Sequence, residues 1–351
     1  MKFVVHPERD ADREELEAKR IHYPLVLETT TAAMVGRMLG VAVKVGVFEA
    51  MADGPKTASE IAATCTLGTR ATGALLEALA TTAYAHEADD QYELTDRGRR
   101  WFLGRGAGFA DFAPLVLLEM DWQKDLEAFV KNDAAVKTRD SMTPEKWVIH
   151  ERAQAGFWRL SGPDLVASVP LTPGARSMLD IGGGAVGQRS AAFCRLHPDL
   201  RAVVLEPPEA VEAAAALVLK GEALSDRVDI RAGDPNTFDL GESAYDLILF
   251  SSSPFQRFAD GNQYASFIAR CARALRPGGT LAVSDFFRTE QSDAGQLAAL
   301  RGLFFEMTSP SGAFTLEQVE GWQRGAGLEP LSSVDTLPGF RAIQMARKPL
   351  Q

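Results

Sequence analysis

Residues 171–351 alternate strand-like apolar runs with helical stretches, and this alternation constrains the fold more than any other feature of the chain. The strand-like runs are SMLDIGGG, AVVLE, RVDIRAGD, YDLILFS and TLAVSDFF, and helical stretches such as EAVEAAAALVLKG and ASFIARCARAL separate them. Apolar strands separated by helices are typical of a parallel sheet that is covered by helices on both faces. We therefore predict an α/β fold with a Rossmann-like doubly wound sheet.

The end of the chain has a different pattern. Two strand-like runs, LEPLSSVD and FRAIQMARK, are separated by only Thr336-Leu337-Pro338-Gly339. A parallel crossover needs about a dozen residues or more, whereas an antiparallel hairpin needs only a short loop. The sequence therefore predicts a C-terminal antiparallel hairpin.

The first 104 residues have the pattern of a helical domain with a winged-helix layout. Thr57 and Glu60 have capping-box spacing before an apolar run, and residues 69–80 are predicted to form the third helix. YAHEADDQYELT then contains two short strand-like runs around Asp89-Asp90. Small residues within 31–52 would let another helix approach closely, either at a subunit interface or inside the same domain, and both interpretations stay open.

A winged helix raises the question of DNA binding, and the charges argue against it. The chain has 37 Lys and Arg against 47 Asp and Glu, and its formal net charge of −10 repels phosphate backbones. The helix that would enter a groove has Arg70 as its only basic residue and also carries Glu77. We therefore expect a structural or dimerising role for this domain and no nucleic-acid partner.

The composition also indicates where the protein works. Cys65, Cys194 and Cys271 lie far apart with no CxxC pair, which indicates a reducing compartment and neither a disulfide framework nor a metal site. No stretch approaches the roughly 20 apolar residues of a membrane span, and the charged N-terminus lacks a signal-peptide core. We expect a cytoplasmic protein without a membrane partner.

Residues 105–170 are predicted to form a helical linker and substrate cap between domains at 1–104 and 171–351. Helix breaks are expected at Asn132-Asp133 and at Thr143-Pro144. Three of the five tryptophans lie in this segment. Such aromatic residues can cover a flat apolar ligand or form ordinary core.

A glycine-rich turn follows the first strand of the predicted sheet. Residues 182–187 have the GxGxxG spacing between a strand and a helix, which many nucleotide sites share. Glu206 ends the second strand, where a carboxylate would take ribose hydroxyls, and Asp234 ends the third, where it would meet an adenine amino group. The Gly-Asp pair there, the turn at 277–279 and the terminal hairpin favour S-adenosylmethionine (SAM) over a nicotinamide cofactor.

These motifs resemble the small-molecule O-methyltransferase family that has an N-terminal winged-helix dimerisation domain. LGVAVKVGVFEAMADGPKTASEIA, LDIGGG, LSDRVDIRAGD and LRPGGTLAVSDFF carry the resemblance, which covers nearly the whole chain. It implies SAM-dependent methylation of a small molecule of secondary metabolism, with S-adenosylhomocysteine as the second product. It also implies a homodimer in which the N-terminal helices of one subunit help to close the pocket of the other.

The resemblance implies a set of cofactor-binding residues. Gly182 and Gly184 would approach the methionine part of SAM, Glu206 would take the ribose, and Asp234 would lie beside the adenine. The full set is Asp180, Gly182, Gly184, Gly187, Glu206, Pro207, Asp234, Pro235 and Ser251.

The sequence departs from the family at the positions of its base chemistry. O-methylating members have a general-base histidine after the fourth strand and an acid that orients it. In this chain Phe255 stands in place of the histidine and Ala313 in place of the acid. Ser251 occupies a position that is usually lysine, and the glycine loop GGGAVGQ is longer than usual. The resemblance is therefore to a branch that lacks the catalytic pair, similar in this respect to the family's bacteriochlorophyll-type C-methyltransferases, which lack the histidine.

The missing base determines the first hypothesis about the reaction. Aligning a methyl donor with a nucleophile needs only proximity and orientation, whereas a phenol must also lose its proton. We therefore expect C- or N-methylation of an aromatic or heteroaromatic substrate. The alternatives are O-methylation with a relocated base, a non-methylating enzyme on the same fold, and a winged-helix regulator.

His150 is the candidate for a relocated base, because it lies on the helix before the SAM domain. The alternative is that it lies on an ordinary or solvated helix face. Arg257 can bind a substrate carboxylate or be solvated, and the apolar candidates can equally be core. The candidate substrate-binding residues are Trp122, His150, Phe157, Trp158, Phe255, Gln256, Arg257, Phe305 and Met307.

Overall fold

The computed structural model describes residues 25–103, 109–133, 141–184, 186–215, 217, 226–251, 258, 260–287, 295–309, 314–337 and 341–350. The chain divides into two units, Met1–Gly104 and Arg105–Gln351, and each is considered by itself. The separate status of residues 105–170 stays a prediction. In the part of the chain just defined, no helix is both long and apolar enough to cross a membrane.

The first unit consists of short helices followed by a hairpin, as the sequence predicts. The wing strands pair antiparallel, and Asp89 and Asp90 form their turn with positive φ angles. The elements are helices α1 (Leu25–Lys44), α2 (Val47–Ala50), α3 (Ala58–Cys65) and α4 (Thr69–Ala80), strands β1 (Ala85–Ala88) and β2 (Gln91–Leu94), and helix α5 (Asp96–Phe102).

Local signals and close packing define this unit. The Thr57 hydroxyl accepts from the Glu60 N–H at 3.3 Å, and the Glu60 carboxylate accepts from the Thr57 N–H at 2.8 Å, so the predicted capping box is confirmed. Phe48 stacks on Phe102 with ring centroids 4.1 Å apart. Met38 of α1 is buried while Met34 is 66% exposed. The second half of α1 is therefore core, whereas Met34 in the first half has an exposed apolar side chain.

The second unit begins with helices and continues as a strand–helix alternation. The predicted breaks are confirmed, because α7 ends at Asn132 and Thr143 is the N-cap of α8. The helices are α6 (Phe109–Trp122), α7 (Leu126–Asn132), α8 (Pro144–Ser168), α9 (Gln188–Leu196), α10 (Pro208–Ala214), α11 (Gly261–Ala274), α12 (Gly295–Thr308) and α13 (Leu316–Gly325), with a 3₁₀ turn at Gln123–Asp125. The strands are β3 (Ser177–Ile181), β4 (Arg201–Glu206), β5 (Val228–Ala232), β6 (Tyr245–Ser251), β7 (Leu275–Asp285), β8 (Glu329–Pro330), β9 (Val334–Leu337) and β10 (Arg341–Arg347).

The sheet has the predicted doubly wound topology. Its order is β5-β4-β3-β6-β7-β10-β8, with β9 also paired to β10. Strands β3 to β7 are parallel to one another, and β10 runs antiparallel to β7 and to β9. The predicted α/β fold and the C-terminal antiparallel hairpin are both confirmed.

Both faces of the sheet are buried. Leu179 and Ile248 join the core on one face, where α11 and α13 pack, whereas Met178 and Leu247 join the core on the other, with α9 and the end of α8. Neighbouring residues of a strand point to opposite faces, so the middle of each of these strands is apolar on both faces. The ends of the strands are the places where polar chemistry can be exposed.

The carboxylate of Asp246 joins the amino ends of β3 and β6 through hydrogen bonds. Asp246 Oδ2 accepts from the N–H groups of Arg176 and Ser177 at 2.8 and 2.9 Å, and from the Ser177 hydroxyl and Arg276 Nη1 at 2.8 and 2.9 Å. Burial alone would raise the pKa of Asp246. The hydrogen bonds outweigh burial and hold this pKa below its ordinary value of 3.8.

We expect Asp246→Asn to lower the free energy of unfolding by about 1–3 kcal/mol at neutral pH, because an amide replaces a charged acceptor. The folded-state pKa is depressed, so this stabilisation is complete above a pH of about 4 and is lost as the pH falls through the folded-state pKa. Urea unfolding at pH 7 and at about pH 3 should show the difference from the wild type shrinking in acid. Asp335→Asn, at an exposed carboxylate, is the control. An equal difference at both pH values would contradict the assignment.

Candidate functional site

The carboxyl ends of neighbouring strands bring predicted cofactor residues to one edge of the sheet. Gly182 directly follows β3, and Glu206 and Ser251 are the last residues of β4 and β6. Asp285, which was not predicted, is the last residue of β7. Adjacent parallel strands end at the same edge, which is where ligands bind in open α/β sheets. Among the described residues, no group of three His, Cys, Asp or Glu side chains is placed to hold a metal ion.

The glycines of the loop have distinct physical roles. Gly182 and Gly184 have φ angles of 71° and 94°, and a Cβ at Gly182 would collide with the Ser251 carbonyl. Glycine at 182 therefore lets the loop pass against the end of β6. A Cβ at Gly187 would lie 3.3 Å from Val228 and 3.4 Å from Ile230. Gly187 is thus placed at the contact between α9 and β5, which gives it a packing role in this geometry.

Glu206 fastens the glycine loop to the end of β4. Its Oε1 accepts from the Gly184 N–H at 2.6 Å, and the residue is 7% exposed. Pro207 follows as the N-cap of α10 and is also buried. A carboxylate has several acceptor positions, so Glu206 can hold the loop and still accept from a ribose hydroxyl.

An arginine that was not predicted from the sequence binds backbone carbonyls of the predicted adenine loop. Asp234 is exposed, and its Oδ1 accepts from the Asn236 N–H at 2.9 Å. Arg270 of α11 donates from Nη1 to the carbonyls of Pro235 and Asn236, at 2.7 Å each, and from Nη2 to that of Phe238. The sequence shows that Arg270 is a basic residue on a predicted helix. It does not show which backbone carbonyls the side chain binds.

Asp180 is buried under the glycine loop and paired there with another missed arginine. Arg189, the second residue of α9, donates from Nε to Asp180 Oδ2 at 3.1 Å and from Nη2 to Oδ1. Its Nη1 donates to the Ser251 hydroxyl. A positive charge in the first turn of a helix lies near the positive end of the helix dipole, which is unfavourable. This unfavourable placement is a sequence signal that Arg189 has a carboxylate partner.

His150 forms a buried polar cluster on α8 with Glu151 and Gln154. His150 Nδ1 lies 3.0 Å from Glu151 Oε1, and Gln154 Nε2 lies 3.2 Å from His150 Nε2. A Cβ at Gly184 would lie 3.6 Å from Gln154 Cβ and 3.8 Å from Glu151 Oε2. The cluster therefore contacts the same loop glycine that is bound by Glu206.

The apolar candidates divide into two places. Trp122, Phe305 and Met307 share one hydrophobic cluster with Val186 of the glycine loop. Trp158 instead covers Gly162 of its own helix and packs against the core on the α9 face of the sheet. The side chain of Phe157, together with Phe255, Gln256, Arg257 and Ala313, lies outside the described residues.

The arrangement fits a SAM-type cofactor. Gly182 and Gly184 form a cradle that only glycine permits, Glu206 is the last residue of β4, and Asp234 lies two residues after the end of β5. Buried carboxylates near the loop suit a cationic ligand, and the apolar cluster next to Val186 suits an aromatic acceptor. The site can hold a charged donor on one side and a flat apolar molecule on the other.

Comparisons with known proteins agree with a site that binds a SAM-type cofactor. The sequence model of the O-methyltransferase domain matches residues 135–326, and that of the O-methyltransferase dimerisation domain matches residues 27–104. The chain is 27% identical over 321 residues to the 3-hydroxy-5-methyl-1-naphthoate 3-O-methyltransferase of Streptomyces sahachiroi, covering 88% of this chain and 90% of that protein. It is 27% identical over 277 residues to the mitomycin biosynthesis 6-O-methyltransferase of Streptomyces lavendulae, covering 76% and 78%.

A solved structure extends the similarity to the fold of the whole chain. Human N-acetylserotonin methyltransferase in complex with SAM superposes with a TM-score of 0.81 at 18% identity. The superposition covers 99% of this chain and 100% of the human protein. It supports the α/β fold with an N-terminal helical unit.

We expect Glu206→Gln to weaken SAM binding about ten- to a hundredfold, because it removes the charged acceptor that holds Gly184 and would take the ribose. Calorimetric titration with SAM and with S-adenosylhomocysteine measures this without any acceptor. Glu212→Gln, at an exposed position of α10, is the matched control and should bind like the wild type. Unchanged affinity in Glu206→Gln would remove Glu206 from the site.

Proposed function

Because the chain belongs to the O-methyltransferase family, with its dimerisation domain at the N-terminus, we propose that it methylates the hydroxyl of an aromatic secondary metabolite, with His150 as the base. The enzyme is a SAM-dependent methyltransferase of secondary-metabolite type. The first relative carries a hydroxynaphthoate in its name. A hydroxylated bicyclic aromatic acid is therefore the first acceptor to test.

The relatives change the choice of acceptor atom. C- or N-methylation was expected from Phe255 in place of the usual histidine, but the two relatives that span most of the chain are named O-methyltransferases. C- or N-methylation is not supported by them, and O-methylation with a relocated base is the nearer alternative. The branch without the catalytic pair stays a prediction.

A hydroxyl acceptor sets a chemical requirement on the site. When bound, SAM supplies an electrophilic methyl group on a cationic sulfur. A phenol has a pKa near 10, so it is mostly protonated at neutral pH. A base that removes this proton contributes roughly 10²–10⁴-fold to the rate. O-methylation therefore needs a proton acceptor close to the methionine end of the cofactor site.

The contact between the His150 cluster and Gly184 is the observation that carries the proposal. With Glu151 ionised, its carboxylate only accepts, so Nδ1 of His150 carries the proton and Nε2 is the acceptor. The Gln154 amide donates to that Nε2. An acceptor hydroxyl that takes the place of this amide would have its proton directed at Nε2, with Glu151 stabilising the imidazolium that forms.

The helix that carries His150 is placed to serve both partners of the reaction. Helix α8 packs on α6, which contributes Trp122 to the apolar cluster, and on α10, which follows Glu206. Trp147 lies edge-on to the His150 ring with centroids 5.7 Å apart. The base is therefore flanked by the cofactor loop and by the aromatic cluster that we assign to the acceptor.

The N-terminal unit gives this enzyme its proposed assembly. The match of residues 27–104 to the O-methyltransferase dimerisation domain supports a homodimer. The exposed side chain of Met34 on α1 is consistent with a surface that another subunit covers. Closure of one subunit's pocket by the other subunit's helices stays a prediction.

The proposed reaction is tested by incubating the protein with SAM that carries a ¹³C-methyl group and with hydroxynaphthoic acid, naphthol or indole as the acceptor. We expect methylated hydroxynaphthoic acid or naphthol whose ¹³C chemical shift is that of a methoxy carbon. A methyl group on carbon or nitrogen would contradict O-methylation. SAM consumption without a methylated product would indicate a non-methylating reaction.

We expect His150→Gln to lower kcat about a hundredfold with a weakly acidic acceptor such as naphthol, because the amide cannot take the proton. The loss should shrink with a nitro-substituted naphthol, whose hydroxyl ionises without help. If His150 had only a structural role, kcat would fall by the same factor with both acceptors. His86→Gln, an exposed histidine of the first unit, is the control and should leave kcat unchanged.

A further inference from the structure

The buried ion pair beneath the glycine loop is an unusual feature of this cofactor site. Arg189 and Asp180 are 3% and 1% exposed. Taking both charges out of water is costly, and apolar residues of similar size often pack as well. Arg189 also lies in the first turn of α9, where a positive charge opposes the helix dipole. Fold stability alone is therefore a poor reason for an arginine at this position.

The contacts of the guanidinium join two strand ends. Arg189 Nε donates to Asp180 Oδ2 at 3.1 Å, and Nη2 donates to Oδ1, so the pair is bidentate. Nη1 donates to the hydroxyl of Ser251, the last residue of β6. The Ser190 hydroxyl donates to Asp180 Oδ2 at 2.8 Å and completes the network. One planar group thus bridges side chains at the ends of the two paired strands β3 and β6.

The same group lies directly against the backbone of the loop. A Cβ at Gly183 would overlap both the Arg189 guanidinium and the Asp180 carboxylate. Gly183 stands between Gly182, which passes the Ser251 carbonyl, and Gly184, which is bound by Glu206. The loop therefore packs on the Arg189–Asp180 ion pair at Gly183 and is hydrogen-bonded to Glu206 at Gly184.

We propose that Arg189 is a positioning residue for the methionine end of SAM. Its guanidinium fixes Asp180, Ser251 and the underside of Gly183 in one geometry, and this geometry holds the glycine loop in the shape that receives the cofactor. Asp180 acts through this pair and not as a separate charge facing the ligand. The inference rests on the SAM cofactor and is independent of the acceptor atom and of His150.

The test compares the affinity of Arg189→Met and Arg189→Lys for SAM and for S-adenosylhomocysteine by calorimetry, with no acceptor present. We expect Arg189→Met to weaken both ligands about ten- to a hundredfold and to a similar extent, because the loop contacts parts that the two share. Arg189→Lys keeps the charge but loses the planar fork, so it should recover only part of the affinity. Arg195→Met, exposed on the same helix, is the control.

Two further variants separate positioning from neutralisation of charge. If Arg189 only neutralises Asp180, the double variant Asp180→Asn with Arg189→Met would regain wild-type affinity, and this result would overturn the proposal. Continued weak binding by the folded double variant supports positioning. Wild-type affinity for SAM in folded Arg189→Met would also overturn it.

A cycle that keeps the positive charge covers the case in which Arg189→Met does not fold. Ser251→Ala removes one hydroxyl, and Arg189→Lys disturbs the bond to that hydroxyl. We expect the loss of SAM affinity from Ser251→Ala to be smaller in the Arg189→Lys background, since both changes break the same contact. Fully additive losses would show that Ser251 and Arg189 act separately and would overturn the proposal.

Discussion

The burial of the parallel sheet on both faces is the constraint on which the rest of the second unit depends. Because α11 and α13 cover one face and α8 and α9 the other, the polar groups that bind a ligand are placed where the strands end. Gly182, Glu206 and Ser251 occupy the carboxyl ends of three adjacent strands. At the opposite ends, Asp246 joins β3 to β6, so the edge that binds ligand belongs to strands that are fixed at both ends.

Features that depend on spacing along the chain could be predicted from the sequence. The strand–helix alternation predicted the doubly wound sheet, and the short connection before 341–347 predicted the antiparallel hairpin. The predicted capping box at Thr57 is also present, because it needs only residues that are neighbours on one helical turn. These signals are local, so a single sequence contains them.

Features that depend on distant partners could not be predicted. Arg189 meets Ser251 from 62 positions away, and Arg270 binds carbonyls more than 30 positions earlier. A sequence gives the residue type but not the element that will face it, so both arginines were missed. Gly187 was predicted from the GxGxxG pattern alone, and the packing of its Cβ position against Val228 and Ile230 likewise depends on a distant strand.

The position of a catalytic group in the chain and its position in space are separate properties. A base is effective when it lies near the acceptor hydroxyl, whichever element supplies it. Helix α8 comes close to Gly184 through Glu151 and Gln154, and the Gln154 amide lies 3.2 Å from His150 Nε2 on the same helix. Replacement of the usual histidine by Phe255 removes one route to a base, and we propose His150, whose Nδ1 lies 3.0 Å from Glu151 Oε1, as another.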